Sequence, residues 1–294
     1  MSQLRLAHIA THSAVRALPG SVADAIAAGQ QLTGRDRELI ALLADHRALT
    51  AGQIARLFFA HDNTARKRLV RLTERGVLAR FRTCVRPGSQ SWRYTLGTLG
   101  AMIHAATHGD TLPTAAKTQE KVLKLAQNPR LNHLLGVNDF FVALTEHARN
   151  KEGCELVEWW NECAITEACA RIVRPDGYGK WVDSGRSTGL FLEYDTGTEK
   201  LETVLNKLGG YRDLASADVS HPILFVLPGV TRHNNFHRMM SAQPAALGAL
   251  TVATAAMDDL HADSPADAVW LLAGTRTRYR LIDLPQPAAL RRAA

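Results

Sequence analysis

Apolar positions recur at helical spacing in three successive blocks of the first hundred residues, and each block opens on a residue suited to capping a helix. Thr33 precedes Leu39, Ile40, Leu42 and Leu43. Thr50, with Gln53 three positions on, forms a capping-box pattern ahead of Ile54, Leu57 and Phe58. Asp62 or Asn63 caps a third block whose stripe is Leu69 and Leu72, and Gly76 stands where a left-handed residue would end it. The period then switches to two. Residues 78–82 and 91–96 alternate like strands, with Pro87, Gly88 and Ser89 between them as a turn. Two helices joined by a tight turn, then a hairpin, describe a winged helix-turn-helix, whose second helix enters the major groove of DNA.

Beyond the hairpin, residues 95–130 read as a helical connector, and the polar stretch 107–120 is the expected domain boundary. A long buried helix is predicted over 131–150. Strands follow at 155–160, 172–176 and 189–195, then a helix at about 198–215 and a buried strand at 222–227. Past Pro228 the pattern weakens, with a helix near 234–242 and strands near 250–255, 268–272 and 279–282. The fold class is α/β of the α+β kind. Residues 1–32 form an N-terminal arm, 33–100 the winged helix-turn-helix and 101–130 the connector. Residues 131–294 form a second domain ordered helix, three strands, helix, strand.

Composition narrows the classes. The chain has 294 residues, 46% hydrophobic and 21% charged, enough for two cores of ordinary size. No run approaches the ~18 apolar residues of a spanning helix, so a membrane role is not expected. The first twenty residues lack the apolar block of a signal peptide and are expected to be a loosely ordered arm of a cytoplasmic protein. Cys84, Cys154, Cys163 and Cys169 show no zinc-site spacing and read as free thiols in a reducing compartment.

Charge changes the picture more. The formal net charge is +7, and residues 66–93 hold nine basic side chains against the single acid Glu74, a local +8. A solvated, salt-bridged helix face would interleave acids at i,i+4, and here they are missing. The footprint is that of a polyanion partner, double-stranded DNA. The candidate contacts are Asn63, Thr64, Arg66, Lys67, Arg68 and Arg71 on the third helix. Arg82, Arg86 and Arg93 on the hairpin can reach phosphates or the minor groove.

The second domain concentrates acids in two short pieces. In Arg174-Pro175-Asp176-Gly177 an acid ends a strand ahead of a glycine turn; in Phe191-Leu192-Glu193-Tyr194-Asp195 two acids share one strand face by period-two geometry. If the strands are neighbours, Asp176 converges on Glu193. Such carboxylates suit Mg²⁺, which can polarise a phosphodiester and acidify an attacking water. Each motif alone is also an ordinary turn or a solvent-facing strand. Together, on a helix–three strands–helix–strand unit, they resemble the core of the PD-(D/E)XK nuclease superfamily. The resemblance implies Asp176 and Glu193 as metal ligands and catalytic groups, and Asp195, on the same strand face as Glu193, is expected to add a ligand or orient water. It also implies a lysine two positions after Glu193, but Asp195 stands there. Lys207, set among Leu201, Val204, Leu205 and Leu208, is the best candidate to supply the missing charge, ahead of Lys200 and Lys180.

Both halves together resemble the actinobacterial replication-relaxation proteins. The resemblance rests on the block 39–93, on Asn132-His133-Leu134 with Val137-Asn138, on Arg174-Pro175-Asp176-Gly177, on the run Phe191 to Glu199, and on Lys207-Leu208 with Tyr211. It implies action in plasmid or mobile-element replication or conjugative transfer, alongside replication or transfer proteins. Two readings stay open: a Mg²⁺-dependent endonuclease or nickase, and a non-catalytic DNA-binding regulator on a degenerate nuclease-like fold. A two-fold operator would require a homodimer, although no heptad seam is visible. Tyr178, Tyr194 and Tyr211 flank the acids as alternative nucleophiles. His233 and His237 are four apart, enough for weak metal binding. Asn138, Asp139 and His133 read as core hydrogen-bonding or auxiliary polar groups.

Overall fold

In the computed structural model, residues 9–10, 20–83 and 90–286 are described. The chain divides into two compact units, residues 1–138 and 139–294. The division falls inside a helix rather than in the polar stretch 107–120. Among the described residues no helix is long and apolar enough to cross a membrane.

Capping chemistry sets the helices of the first unit. A two-residue strand β1 (Ile9–Ala10) is followed by α1 (Val22–Gln30), α2 (Gly34–His46), β2 (Leu49–Thr50), α3 (Ala51–Phe58) and α4 (Asp62–Glu74). Ser21, Thr33 and Thr50 each accept the N3 backbone N–H, while Asp24, Asp36 and Gln53 bond back to the cap. Helix α1 lies where an arm is expected: its Ser21–Asp24 box is a start signal, and of its residues only Ala25 is buried. Helix α4 begins after His61, which makes no side-chain cap, and Gly76 takes φ +72° beyond its end. Strands β3 (Leu78–Thr83) and β4 (Arg93–Leu96) pair antiparallel, joined to β1 and β2 at the edges. The expected turn at Pro87–Ser89, Cys84 and Arg86 lie outside the described residues.

The connector forms two helices, α5 (Thr98–His108) and α6 (Ala115–Ala126), before α7 (Leu131–Asn150). Val122 and Leu125 of α6, with Leu131 and Leu135 of α7, pack on Ala48, Ala79 and Phe81. Asn138 is buried and donates from Nδ2 to the carbonyls of His46 and Ala48 at 3.1 and 2.8 Å, the satisfied core role for a polar residue on an apolar helix.

The second unit is built on a seven-stranded mixed sheet. Its elements are β5 (Cys154–Asn161), α8 (Glu162–Ala168), β6 (Gly177–Asp183), β7 (Arg186–Tyr194), α9 (Leu201–Asn206), α10 (Leu208–Ser216) and β8 (Ile223–Leu227). They continue with α11 (Gly229–Ser241), α12 (Pro244–Leu247), β9 (Val252–Ala256), α13 (Met257–Ala262), β10 (Trp270–Leu272) and β11 (Arg278–Tyr279). The strand order is β11-β10-β9-β8-β7-β6-β5, with β7, β8 and β9 parallel and the other pairs antiparallel. Every residue of β8 and β9 is buried, as parallel strands covered on both faces require.

Two expectations are corrected here. The strand expected at 172–176 is a loop, and the strand lies instead over Gly177–Asp183. Pro175 and the two glycines disguise it. Those glycines are packing sites: a Cβ on Gly177 or Gly179 would come within 2.7 or 2.8 Å of the Phe141 ring of α7. The single helix expected at 198–215 is two, α9 and α10, meeting at Lys207. Tyr178 and Phe191 point to the opposite face and join Leu205, Leu208, Tyr211, Phe236 and Met240 in the larger core.

Candidate functional sites

On α4, Ala65, Leu69 and Leu72 turn into the first unit while Asn63, Thr64, Arg66, Lys67 and Arg71 are exposed. Positions 63, 66, 67, 70, 71 and 74 fall on one outward face by helical geometry. Arg66, Lys67 and Arg71 form no ion pair with another described residue, so the face is cationic apart from Glu74.

The other expected contacts are placed differently. Arg68 donates from Nε to Asp36 Oδ1 at 2.9 Å and from Nη2 to the second oxygen. Asp36 is only 1% exposed and closes the α2 capping box with Thr33. Burial works to raise the Asp36 pKa, yet the bonds from Arg68 and Thr33 carry it below its usual range. The same pair raises the Arg68 pKa. Arg68 is thus a strut between α2 and α4. Arg93 is 7% exposed and donates to Gln90, and at 3.5 Å to Asn132 Oδ1; burial lowers its pKa. Arg82 lies with Arg80 over the Trp92 ring, their guanidinium carbons 4.3 and 4.4 Å from its centroid.

In the second unit, Asp176 sits in the turn entering β6, its N–H bonded to the carbonyl of Leu192 at 2.9 Å. Its Oδ2 accepts the Tyr194 N–H at 2.8 Å. These two bonds tie the acidic turn alongside Glu193 on β7. Glu193 is 3% exposed; Lys207 Nζ donates to its Oε2 and the Tyr211 hydroxyl to its Oε1, both at 2.6 Å. Burial, then the charge of Asp176, pushes the Glu193 carboxyl up to about 7 against the opposing pull of Lys207 and Tyr211. At Lys207 burial works to lower the pKa, but Glu193 and Asp176 raise it on balance. Burial and Glu193 push Tyr211 well above its ordinary value.

Asp195 does not join this cluster. It lies just past β7, where Oδ1 accepts the Gly197 N–H at 2.8 Å and Oδ2 accepts Arg232 Nε at 2.5 Å. Arg232, on α11, also donates to the carbonyl of Glu199 at 2.6 Å, so the pair fastens the loop after the strand. Sequence reasoning missed Arg232 because nothing local marks a partner 37 positions away. Among the described residues no group of three His, Cys, Asp or Glu is arranged to hold a metal ion. Lys180 lies 3.9 Å from Glu158, and Lys200 is exposed at the start of α9, which leaves Lys207 as the lysine at the acids. His233 bonds Thr254 Oγ1 at 2.9 Å and His237 the carbonyl of Thr275 at 3.2 Å. The ring of Tyr194 faces away from Glu193, with its hydroxyl 3.4 Å from Met257 Sδ.

The family model described as replication-relaxation matches residues 40–228, a span that begins within α2 and ends just after β8. It takes in α4, Asp176, Glu193, Asp195 and Lys207, and stops short of Arg232. No curated protein matches the chain.

Proposed function

We propose that this chain, which belongs to the replication-relaxation family, is a double-stranded-DNA-binding protein acting in the cytoplasm in replication or transfer of an actinobacterial plasmid or mobile element. The observation that carries the reading is the outward face of α4, where Asn63, Thr64, Arg66, Lys67 and Arg71 are exposed over an apolar back. With α3 before it and the β3–β4 pair after it, this is the element order of a winged helix-turn-helix, and α4 is its recognition helix. Phosphate contacts from the cations supply affinity, while Asn63 and Thr64 can read base edges. A palindromic operator would call for a homodimer. The test is affinity for duplex DNA over a series of salt concentrations. Arg66→Ala, Lys67→Ala and Arg71→Ala combined should lower the magnitude of the log K against log salt slope by about 3. An unchanged slope and affinity would sink this surface.

A second reading concerns the acids, and the meeting of Lys207 with Glu193 favours it. Asp176 and Glu193 offer hard oxygen donors side by side; burial first, and the Asp176 charge second, raise the Glu193 pKa. Asp195, held by Arg232, stands outside the donor set. In this reading Asp176 and Glu193 would hold Mg²⁺, which would supply Lewis-acid polarisation of a phosphodiester. Tyr211 orients the Glu193 carboxylate, and Lys207 brings the ammonium that the nuclease-like pattern carries on its strand. Conversion of supercoiled plasmid to nicked circles with Mg²⁺ or Mn²⁺, lost in Glu193→Ala and Lys207→Ala, is the expected result. No nicking together with no metal-dependent thermal shift would leave a binding-only protein in which these four residues are a buried charge network.

A further inference from the structure

Between α3, α4 and the β3–β4 pair the first unit carries a cleft of about 680 Å³. Small side chains, Ala55 and Ala65 among them, give it depth. Arg66 stands on one wall, and Arg80, Arg82 and Trp92 on the other. Arg80 and Arg82 are two apart on β3, so they share a face, and both guanidinium groups lie over the same indole. Three arginines thus line one concavity, with Asp62 as the acid among its described lining residues. A recognition helix is convex and needs no hollow to enter a groove. A hollow in the size range of small-ligand sites, combining guanidinium forks with an aromatic ring, has the chemistry of one nucleotide: phosphate for the arginines, base for the ring.

We infer that this cleft takes an unpaired nucleotide of the bound DNA, at a gap, a melted step or a strand end. The inference rests on the DNA-binding reading above and deepens it. The protein would then prefer interrupted duplex over intact duplex, the base taking the place of a guanidinium group on the Trp92 ring and the displaced arginine turning to phosphate. Extrahelical nucleotides cost least where pairing is already broken, so the preference follows from the substrate as well as from the pocket.

The test uses the full chain and fluorescence anisotropy with three probes: a duplex, the same duplex with a short single-stranded gap, and the gapped duplex carrying 2-aminopurine in the gap. The gapped duplex is expected to bind about tenfold tighter than the intact one, the scale of one stacked base. The wild type should also quench the 2-aminopurine. Trp92→Leu should bring gapped affinity down to the duplex level and abolish the quenching, while Trp92→Phe, which keeps a ring, retains most of both. Lys67→Ala with Arg71→Ala should weaken both substrates equally. A wild type that binds duplex but shows neither preference nor quenching overturns this inference and leaves the DNA-binding reading standing. A wild type that binds none of the probes overturns both. Thermal unfolding of Trp92→Phe, expected near wild type, guards against a folding defect.

Discussion

Arg68 and Arg66 are two positions apart on one basic helix, yet they should fail in different assays when truncated. Arg68→Ala deletes two charge-assisted bonds to Asp36, whose carboxylate is 1% exposed. Breaking a buried pair by removing one partner costs about 3–5 kcal/mol. Two features soften this: the Arg68 side chain keeps 18% of its surface in water, and Asp36 retains the Thr33 N–H and hydroxyl at 2.7 and 2.6 Å. A loss of about 2–3 kcal/mol is therefore expected. For a unit of this size that lowers the melting temperature by roughly 5–10 °C. Arg66→Ala, on the exposed face, should change stability by less than about 0.5 kcal/mol while weakening DNA binding. Calorimetry and anisotropy on both variants separate the roles. If Arg68→Ala melts with the wild type and loses DNA affinity as Arg66→Ala does, Arg68 is a DNA contact and the strut argument is wrong.

Three further outcomes follow from the second unit. Glu193 has a folded pKa raised to about 7 from an ordinary 4.5, so its contribution to stability is complete below pH 4.5 and is lost as pH rises through 7. Chemical denaturation of the wild type against pH should show that decline, and Glu193→Gln should flatten it; a profile unaltered by the substitution would refute the burial argument. Asp195→Ala frees Arg232 from its carboxylate and should cost about 2–3 kcal/mol, and Asp195→Asn less, whereas a purely ligand-binding Asp195 would leave apo stability untouched. Gly179→Ala drives a methyl against Phe141 and should cost about 1–3 kcal/mol, with partial rescue by Phe141→Leu; additive losses in the double variant would show the two do not touch.

What the sequence determined by itself is the part governed by near neighbours. The N-cap at Thr33, the capping box at Thr50, the apolar stripe of α4 and the C-terminal Gly76 were legible because caps and periodicity act within four residues. The charge excess on residues 66–93 was legible for the same reason, as was the placement of Glu193 on an apolar strand. The tertiary structure alone decided which of those charges are free and which are spent. Arg68 meets an acid 32 positions back, Lys207 one 14 back, and Asp195 a guanidinium 37 ahead. Strand and loop at 172–183 were exchanged in the sequence reading because Gly177 and Gly179 answer to the Phe141 ring rather than to local propensity. An ionic side chain looks alike in sequence whether water or a buried partner surrounds it. Burial, fixed by contacts distant along the chain, makes Arg68 a strut, leaves Arg66 on the surface and sets Asp176, Glu193, Lys207 and Tyr211 together.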